Sequence, residues 1–216
     1  MIEQKDVIAF FDERAGEWDA GMVHSDEKIG RILDNAKVTA GSRVLDIACG
    51  TGVLIGDYLR RNVESVTAVD ISKDAVELTR RNAALNGLSD KIDVQQADVF
   101  DLLTTLAQEK KHPYDYIILD PPAFTKSGAT VKNAYRGYKE INLKAMKLLP
   151  RGGYLATCSC SHFMTPNLFC QMLREAAADA AVSLRQIEDR RQSPDHPILW
   201  GVPETEYLKF YLFQIV

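Results

Sequence analysis

Two short segments of the chain carry the residue types best suited to covalent chemistry. The first, Thr157-Cys158-Ser159-Cys160-Ser161, has two cysteines two positions apart, which places both thiols on one face of a β-strand. A thiolate that adds to C6 of a pyrimidine ring makes C5 enamine-like and able to take a methyl group from a donor. A base then removes the C5 proton and the thiol leaves.

Two other interpretations of these cysteines stay open. Free cysteines are commonly buried as small hydrophobic residues. Zinc could be held by Cys158, Cys160, His162 and Cys170. A C-x-C pair without a second matching pair is not typical of zinc sites, so no metal is predicted. Together with Cys49, the cysteines also do not form the disulfide framework typical of small secreted domains.

The second segment, Asp120-Pro121-Pro122-Ala123-Phe124, combines a carboxylate, two prolines and an aromatic ring. The prolines fix the backbone and remove two N–H donors, so a rigid turn presents its carbonyl oxygens and the Asp120 carboxylate. Those acceptors suit the amino protons of a planar, nitrogen-bearing ring, and Phe124 can stack on its face. The alternative is a proline turn that only ends a strand.

A glycine turn follows the first predicted strand, in VLDIACGTG at residues 44–52. Gly50 and Gly52 permit a tight turn and close approach of a ligand. The segment resembles the D-x-x-x-G-x-G motif that binds S-adenosylmethionine (SAM), with Ala48 where a glycine is common. A dinucleotide fingerprint needs Gly or Ala where Ile55 stands, so the turn suits SAM, which has no pyrophosphate. A purely structural turn is the alternative.

Aspartates stand at the ends of the next two predicted strands. A carboxylate at Asp70 can accept hydrogen bonds from both ribose hydroxyls of a nucleoside. The resemblance implies that Asp98 binds the adenine amino group, with the Val99 N–H at the ring. Either aspartate alone could be a helix N-cap. The predicted cofactor-binding residues are Asp46, Ala48, Gly50, Gly52, Asp70, Ile71, Asp98, Val99 and Asp120.

The elements that position these residues alternate between strand and helix. Strands are predicted at Arg43–Ala48, Ser65–Asp70, Ile92–Gln96, Tyr114–Leu119 and Tyr154–Cys160. Helices are predicted at Val53–Arg61, Lys73–Asn86, Val99–Lys110, Tyr138–Leu149 and Thr165–Ala180. Such alternation indicates parallel strands with right-handed crossovers and a ligand beyond their carboxyl ends. Two final strand-like runs with no helix between them indicate a hairpin, at Ser183–Asp189 and Thr205–Ile215.

We therefore predict an α/β fold, a Rossmann-like, doubly wound seven-stranded sheet that is mostly parallel with an antiparallel last strand, as in class I methyltransferases. With 216 residues, 46% of them hydrophobic, we expect one domain over residues 1–216. A helical cap of two helices, the second capped by Ser25, would occupy residues 1–40 and the core residues 41–216. No apolar run approaches the roughly 20 residues of a membrane span and no targeting signal is evident, so we expect a cytoplasmic monomer or homodimer.

From about Val69 onward, the sequence resembles the bacterial large-subunit (23S) ribosomal RNA cytosine-5 methyltransferases whose full-length members carry a PUA domain. The resemblance rests, in order, on VDISKDAVELTRRNAALNG, ADVFDLL, YDYIILDPPAF, RGYKEINLKAMKLLPRGGYLATCSCS and SPDHPILWGVPETEYLK. It implies that Cys160 is the nucleophile and that Asp120 contacts the base, with Pro121, Pro122 and Phe124 beside it. It gives no role to Cys158.

The first third of the chain resembles a different group. FFDERAGEWD and VLDIACGTGVL are similar to SAM methyltransferases that act on small molecules, including the quinone-pathway type. We therefore expect a natural recombinant or a designed chimera, joined near Ser65–Asp70. Both groups share the fold and the cofactor.

Several functions remain open at this point. A net charge of −4 argues against a broadly basic RNA-binding surface. However, the predicted loop Thr125–Lys139 has no acidic residue and four basic ones, of which Lys126 and Arg136 are predicted to contact phosphates, beside Lys132 and Lys139. A solvated lid is the alternative for this loop. A variant of the RNA hypothesis methylates a base amino group without Cys160.

Two other hypotheses do not involve RNA. A small-molecule methyltransferase would use aromatic residues of the N-terminal helices to roof its pocket, namely Phe10, Phe11 and Trp18. Helical aromatic residues are, however, more often part of the core. The remaining hypothesis is a recombined or designed fold that binds SAM with little or no turnover.

Overall fold

The computed structural model describes residues 4–17, 20, 24–109 and 113–216. The strands are β1 (Arg43–Ile47), β2 (Ser65–Asp70), β3 (Ile92–Gln96), β4 (Tyr116–Leu119), β5 (Tyr154–Ser159), β6 (Leu184–Arg190) and β7 (Lys209–Ile215). The helices are α1 (Gln4–Ala15), α2 (Asp26–Asn35), α3 (Ile55–Arg60), α4 (Lys73–Leu85), α5 (Val99–Gln108), α6 (Val131–Leu148) and α7 (Pro166–Ala180).

The strands form one seven-stranded sheet in the order β3-β2-β1-β4-β5-β7-β6. Strands β1 to β5 pair in parallel, whereas β7 runs antiparallel to both β5 and β6. The predicted fold class is therefore confirmed, including the antiparallel last strand. The chain builds outward from β1 to β3 and then returns to place β4 on the other side of β1. This reversal opens a crevice at the carboxyl ends of β1 and β4.

Hydrophobic side chains cover both faces of the sheet. On one face, Leu45 and Ile47 of β1 pack in a cluster with residues of α5, α6 and α7. On the other, Val44 lies in a cluster with residues of α2, α3 and α4. Because the central strands are buried on both faces, their sequences are continuous apolar runs, and all four residues of β4 are buried.

Helix α6 is the largest departure from the predicted elements. It begins at Val131 after a short 3-10 helix (Gly128–Thr130), so most of the predicted loop Thr125–Lys139 is helical and that prediction is wrong. Buried Ala134 and Tyr138 continue the apolar stripe of the helix toward its N-terminus. Gly137 lies between them, and because glycine disfavours helix interiors, it obscured this first stretch.

Smaller differences concern the ends of elements. Strand β5 ends at Ser159, so Cys160 stands just beyond it rather than within it. The final strand begins at Lys209, not Thr205, because Pro203–Thr205 forms a 3-10 turn. Strand β4 begins at Tyr116, two residues later than predicted, and α3 begins at Ile55. The predicted end of α5 at Lys110 lies outside the described residues.

The N-terminal region contains the two predicted helices. Ser25 accepts a hydrogen bond from the Lys28 N–H at 3.4 Å and so caps α2 as expected. Helix α1 is tied to the start of α4, because the Ser72 hydroxyl donates to Asp12 Oδ1 at 2.6 Å. Trp18 lies outside the described residues. None of the helices within the described ranges is long and apolar enough to span a membrane.

Candidate active site

A cavity of about 1250 Å³ opens at the carboxyl edge of the parallel strands. Residues that directly follow all five parallel strands reach it, which is where the fold predicts a ligand site. It brings together most of the residues predicted from the sequence, namely Asp46, Ala48, Gly50, Asp70, Ile71, Asp98, Val99, Asp120, Pro121, Pro122, Phe124 and Cys160. Residues from distant parts of the chain thus converge on one space.

The glycine turn after β1 has left-handed backbone at three positions. The φ angles are 62° at Ala48, 55° at Gly50 and 86° at Gly52. The N–H groups of Ala48 and Cys49 both donate to the Val69 carbonyl, at 2.8 and 3.1 Å, which holds the turn against the end of β2. A glycine is common at position 48 in the SAM motif, and the left-handed conformation there gives the steric reason.

Gly52 is not among the residues that line the cavity. A Cβ atom at this position would lie 2.9 Å from Ile55 Cδ1 and 3.1 Å from Thr79 Cγ2. The absence of a side chain therefore allows the turn to pack closely against α4. Its observed role is packing, and its contact with the cofactor stays a prediction.

Backbone amides hold the carboxylate of Asp70 from two sides. The Gly50 N–H donates to Oδ2 at 2.9 Å and the Ser72 N–H donates to Oδ1 at 2.8 Å. Burial raises the pKa of Asp70, and these two hydrogen bonds partly oppose that rise. Each carboxylate oxygen has a second acceptor site, which leaves capacity for the two hydroxyls of a ribose.

Asp98 is a helix N-cap that also lines the cavity, and its contact with adenine stays a prediction. Its Oδ1 accepts a hydrogen bond from the Phe100 N–H at 2.7 Å, so it is the N-cap of α5. It also lines the cavity, together with Val99. Capping therefore fixes this side chain at the place where the resemblance puts adenine.

The charged residues among those that line the cavity are all acidic. Four aspartates face it, and among the described lining residues there is no lysine or arginine. Asp46 is 3% exposed and accepts a hydrogen bond from the Tyr58 hydroxyl at 3.2 Å. Burial raises its pKa to about 7, with smaller contributions from Asp120 and Asp70. Such a lining favours a ligand with positive charge, such as a sulfonium with an ammonium group, over a phosphate.

The Asp-Pro-Pro-Ala-Phe turn is buttressed by Tyr138 of α6. The Phe124 N–H donates to the Tyr138 hydroxyl oxygen at 3.4 Å, and that hydroxyl donates to the Pro122 carbonyl at 3.5 Å. The Phe124 ring packs on Tyr138 with centroids 4.5 Å apart and on Phe100 at 5.8 Å. Neighbouring rings thus hold Phe124 in place. Its surface that lines the cavity is available to stack on a planar substrate ring.

Asp120 interacts with a cysteine whose role the sequence left unassigned. The Asp120 side chain is accessible from the cavity, yet the surrounding protein desolvates it and raises its pKa. A hydrogen bond with the Cys158 thiol opposes this rise. Cys158 itself is 6% exposed, and burial together with Asp120 keeps the pKa of its thiol high. It therefore stays a neutral thiol beside the carboxylate.

Cys160 is the half-buried cysteine that reaches the cavity. Burial and the Asp120 carboxylate raise the pKa of its thiol, whereas Lys209 and the Ala123 N–H lower it. All four cysteines are free. Among the described residues, the cluster with metal-ligand geometry is His24, Asp26 and Asp57, so the four residues considered for zinc are not brought together.

The basic residues predicted to meet RNA lie outside the cavity lining. Lys126, Lys132 and Arg136 are exposed, on the turn and on the first part of α6 that follows it. Lys139 instead forms ion pairs with Glu175 at 3.4 Å and Asp179 at 2.9 Å, both on α7. Three exposed cations therefore lie on the turn and on the first part of α6, and Lys139 belongs to the contact between α6 and α7.

Several residues of the site are not predicted from the sequence. Asn133 and Leu208 line the cavity, Tyr138 supports the turn, and Lys209 is buried near Cys160. Lys209 is itself a sequence signal, because it is the charged residue at the start of a strand that is apolar except for Gln214. Phe11, proposed for a small-molecule pocket, does line the cavity, whereas Phe10 is 42% exposed.

Both the sequence and the fold of this chain are similar to those of known proteins. The sequence profile of a family described as "Methyltransferase domain" matches residues 38–202. The chain belongs to this family. This methyltransferase resembles, in fold, SMU.776, whose structure was determined in complex with SAH, with a TM-score of 0.73 at 19% identity over 90% of this chain and 50% of that one. The chain is a SAM-dependent methyltransferase with a Rossmann-like fold.

Two curated relatives of this methyltransferase carry the name "Ribosomal RNA large subunit methyltransferase I". The one from Erwinia tasmaniensis is 38% identical over 202 residues, covering 90% of this chain and 51% of that protein. The one from Aeromonas hydrophila is 40% identical over 195 residues, covering 87% and 49%. The chain spans about half the length of these relatives. Because the matches cover nearly the whole chain, they extend into its first third, and they do not confirm a junction near Ser65–Asp70.

Proposed function

We propose that this methyltransferase transfers a methyl group to C5 of a cytosine in ribosomal RNA through an adduct with Cys160. The observation that carries the proposal is that Cys160 and the Asp120 turn face the same cavity as the aspartates predicted to bind the cofactor. The names of the curated relatives support RNA as the substrate class.

The cavity has the size and charge for a cofactor and a base together. Its volume of about 1250 Å³ exceeds the range of roughly 300–1000 Å³ typical of single small-molecule sites. Asp70 would accept hydrogen bonds from the ribose hydroxyls, Asp98 would accept them from the adenine amino group, and Asp46 would bind the ammonium group. Bound SAM would supply an electrophilic methyl group on its sulfonium. The aspartates of the lining suit this cation and disfavour phosphates.

The protein would first bind the cytosine at the Asp-Pro-Pro-Ala-Phe turn. The Asp120 carboxylate and the carbonyls of Pro121 and Pro122 would accept the amino protons of the cytosine, and Phe124 would contact its face. Exposed Lys126, together with Arg136, would contact phosphates of the flanking nucleotides.

Cys160 would then attack. Its thiolate forms a bond to C6 of the cytosine, the C5–C6 electron pair moves to C4–C5 and the C4–N3 pair moves to N3, so that C5 becomes the nucleophilic carbon of an enamine. After C5 has gained the methyl group, a general base removes the C5 proton. The C5–C6 double bond then re-forms and the thiolate is expelled. Cys158, neutral and buried against Asp120, cannot substitute for it.

Incubation with ribosomal RNA and methyl-labelled SAM tests the proposal, with the methylated nucleoside identified by mass spectrometry. Wild-type protein should yield 5-methylcytosine, and Cys160→Ala should abolish it, whereas Cys170→Ser is the matched control at the other half-exposed cysteine. Methylation of a base amino group that survives in Cys160→Ala would instead establish the amino-methylating variant.

A small-molecule substrate is the second candidate, because Phe11 and Ala15 of α1 line the cavity. An apolar cover of this kind would enclose a small acceptor. Methylation of a metabolite pool, with none of RNA, would favour this candidate. Stabilisation by S-adenosylhomocysteine without methyl transfer to either pool would instead indicate a SAM-binding fold without turnover.

A further inference from the structure

Lys209 is a buried cation at the start of β7. It is 3% exposed, and its Nζ donates to the Ser161 carbonyl at 2.5 Å and to the Tyr207 carbonyl at 2.7 Å. In the sheet register it stands opposite Ser159, the neighbour of Cys160. Lysine is almost never this buried unless it is paired with an opposite charge.

The described residues offer Lys209 no carboxylate partner within ion-pair distance. Its two bonded neighbours are neutral carbonyls, which leave the third N–H of the ammonium available. The group that interacts electrostatically with Lys209 is the Cys160 thiol, and the interaction favours the charged form of both. A thiolate at Cys160 would therefore supply the counter-charge for the buried ammonium.

The same contacts also fix where Cys160 stands. The Ser161 carbonyl accepts from Lys209, while the Ser161 hydroxyl donates to the Thr125 carbonyl at 2.8 Å. Thr125 directly follows the Asp-Pro-Pro-Ala-Phe turn, so Ser161 links the cysteine segment to the turn on one side and to β7 on the other. The spacing between nucleophile and base-binding turn thus depends on this link.

We propose that Lys209 is a positioning residue for the methyl transfer, which anchors Ser161 and stabilises the Cys160 thiolate with its ammonium charge. The inference rests on the proposed role of Cys160 as the nucleophile. Other groups around the thiol act against the thiolate or are neutral, namely Asp120, Cys158, Tyr138 and Tyr207. The favourable contributions come from the main-chain N–H of Cys160 itself, from Lys209 and from the Ala123 N–H, and Lys209 is the one that carries a charge.

The charge of Lys209 sets a pH window for this effect. Burial lowers the pKa of Lys209 to about 8, so the ammonium persists below that pH and is lost as the pH rises through it. The ammonium charge therefore stabilises the thiolate most strongly below about pH 8, where an ordinary cysteine thiol is mostly protonated. At higher pH the hydrogen bonds to the two carbonyls remain possible, but the charge does not.

The pH profile of thiol alkylation tests the inference without requiring methyl transfer. In a Cys170→Ser background, iodoacetamide is reacted with the full chain between pH 6 and 10, and the peptide that carries Cys160 is quantified by mass spectrometry. Lys209→Met should move the profile to higher pH and slow alkylation near pH 7 about tenfold for each pH unit by which the midpoint rises. Lys209→Arg, which keeps the charge, should restore much of the rate.

A second substitution separates charge from anchoring. Lys209→Gln keeps N–H donors for the carbonyls but carries no charge, so it should show the slowed alkylation even where it folds as the wild type does. Folding is checked by circular dichroism and by stabilisation with S-adenosylhomocysteine. An unchanged alkylation profile in folded Lys209→Gln or Lys209→Met overturns the inference. A displaced profile in a protein that methylates no RNA would support the Lys209–Cys160 coupling while refuting the proposed function.

Discussion

The main-chain N–H of Gly50 donates to Oδ2 of Asp70 at 2.9 Å, which joins the turn after β1 to the end of β2. These two features were predicted separately from the sequence, as a glycine turn and a ribose-binding carboxylate. In the structure each fixes the other, because the left-handed backbone at Gly50 points its N–H at the carboxylate. This hydrogen bond therefore fixes the position of the turn relative to the carboxylate.

We expect Asp70→Asn to weaken the binding of S-adenosylhomocysteine about 10- to 100-fold. Hydrogen bonds to a charged group contribute about 1.5–3 kcal/mol, and the amide also places an N–H where one of two oxygens accepted. Isothermal titration calorimetry measures the change. Asp74→Asn, at an exposed position of α4, is the matched control and should bind as the wild type does. Equal affinities for the two variants would remove Asp70 from the ribose site.

Asp46 should make the stability of the ligand-free protein fall as pH rises. Its folded-state pKa of about 7 lies above its ordinary value, so the stabilisation is fully present below about pH 4 and is lost as the pH passes 7. The loss amounts to at most about 4 kcal/mol over this window. Asp70 and Asp120 contribute in the same direction.

The neutral isostere Asp46→Asn isolates the contribution of Asp46. Urea unfolding at pH 5 and pH 7.5 should show a smaller decrease in the free energy of unfolding for Asp46→Asn than for the wild type. Identical decreases in both proteins would mean that Asp46 is ionised across the whole range.

Gly52→Ala should destabilise the protein more than Gly41→Ala does. The two glycines have nearly the same φ, 86° and 83°, so the strain of a left-handed alanine is shared. A Cβ at Gly52 meets Ile55 and Thr79, whereas nothing lies within 4 Å of one at Gly41. Overpacking typically costs about 1–3 kcal/mol, and this should be the difference between the variants in urea unfolding. Equal decreases in the free energy of unfolding would show that the side chains of Ile55 and Thr79 move aside without cost.

The exposed cations beside the site should control the salt dependence of RNA binding. Replacing Lys126, Lys132 and Arg136 by Gln should reduce the slope of log affinity against log salt by up to about one unit for each phosphate that is no longer neutralised. Lys139→Gln is the matched control, because this side chain is paired with Glu175 and Asp179. A slope that is unchanged in the triple variant would place the RNA on another surface.

The sequence predicted the features that depend on local pattern. The carboxyl ends of β2, β3 and β4, the glycine turn and the capping role of Asp98 follow from alternation and from capping chemistry, and the structure has them where expected. The start of α6 does not follow from the sequence pattern because Gly137 is a poor helix former, although the structure favours a small residue there: a Cβ would lie 3.2 Å from the Phe124 ring. The partnership of Cys158 with Asp120, and of Lys209 with Cys160, links strands far apart in sequence and depends on sheet register.

The most direct test of the central claim is to trap the adduct at Cys160. An RNA that carries 5-fluorocytosine cannot lose a proton from C5 after methylation, so the enzyme–RNA bond formed by Cys160 persists. We predict a covalent, SAM-dependent protein–RNA species whose cross-linked peptide contains residue 160, and none with Cys160→Ala. Full methylation of unmodified cytosine without any trapped species on the fluorinated RNA would contradict the account.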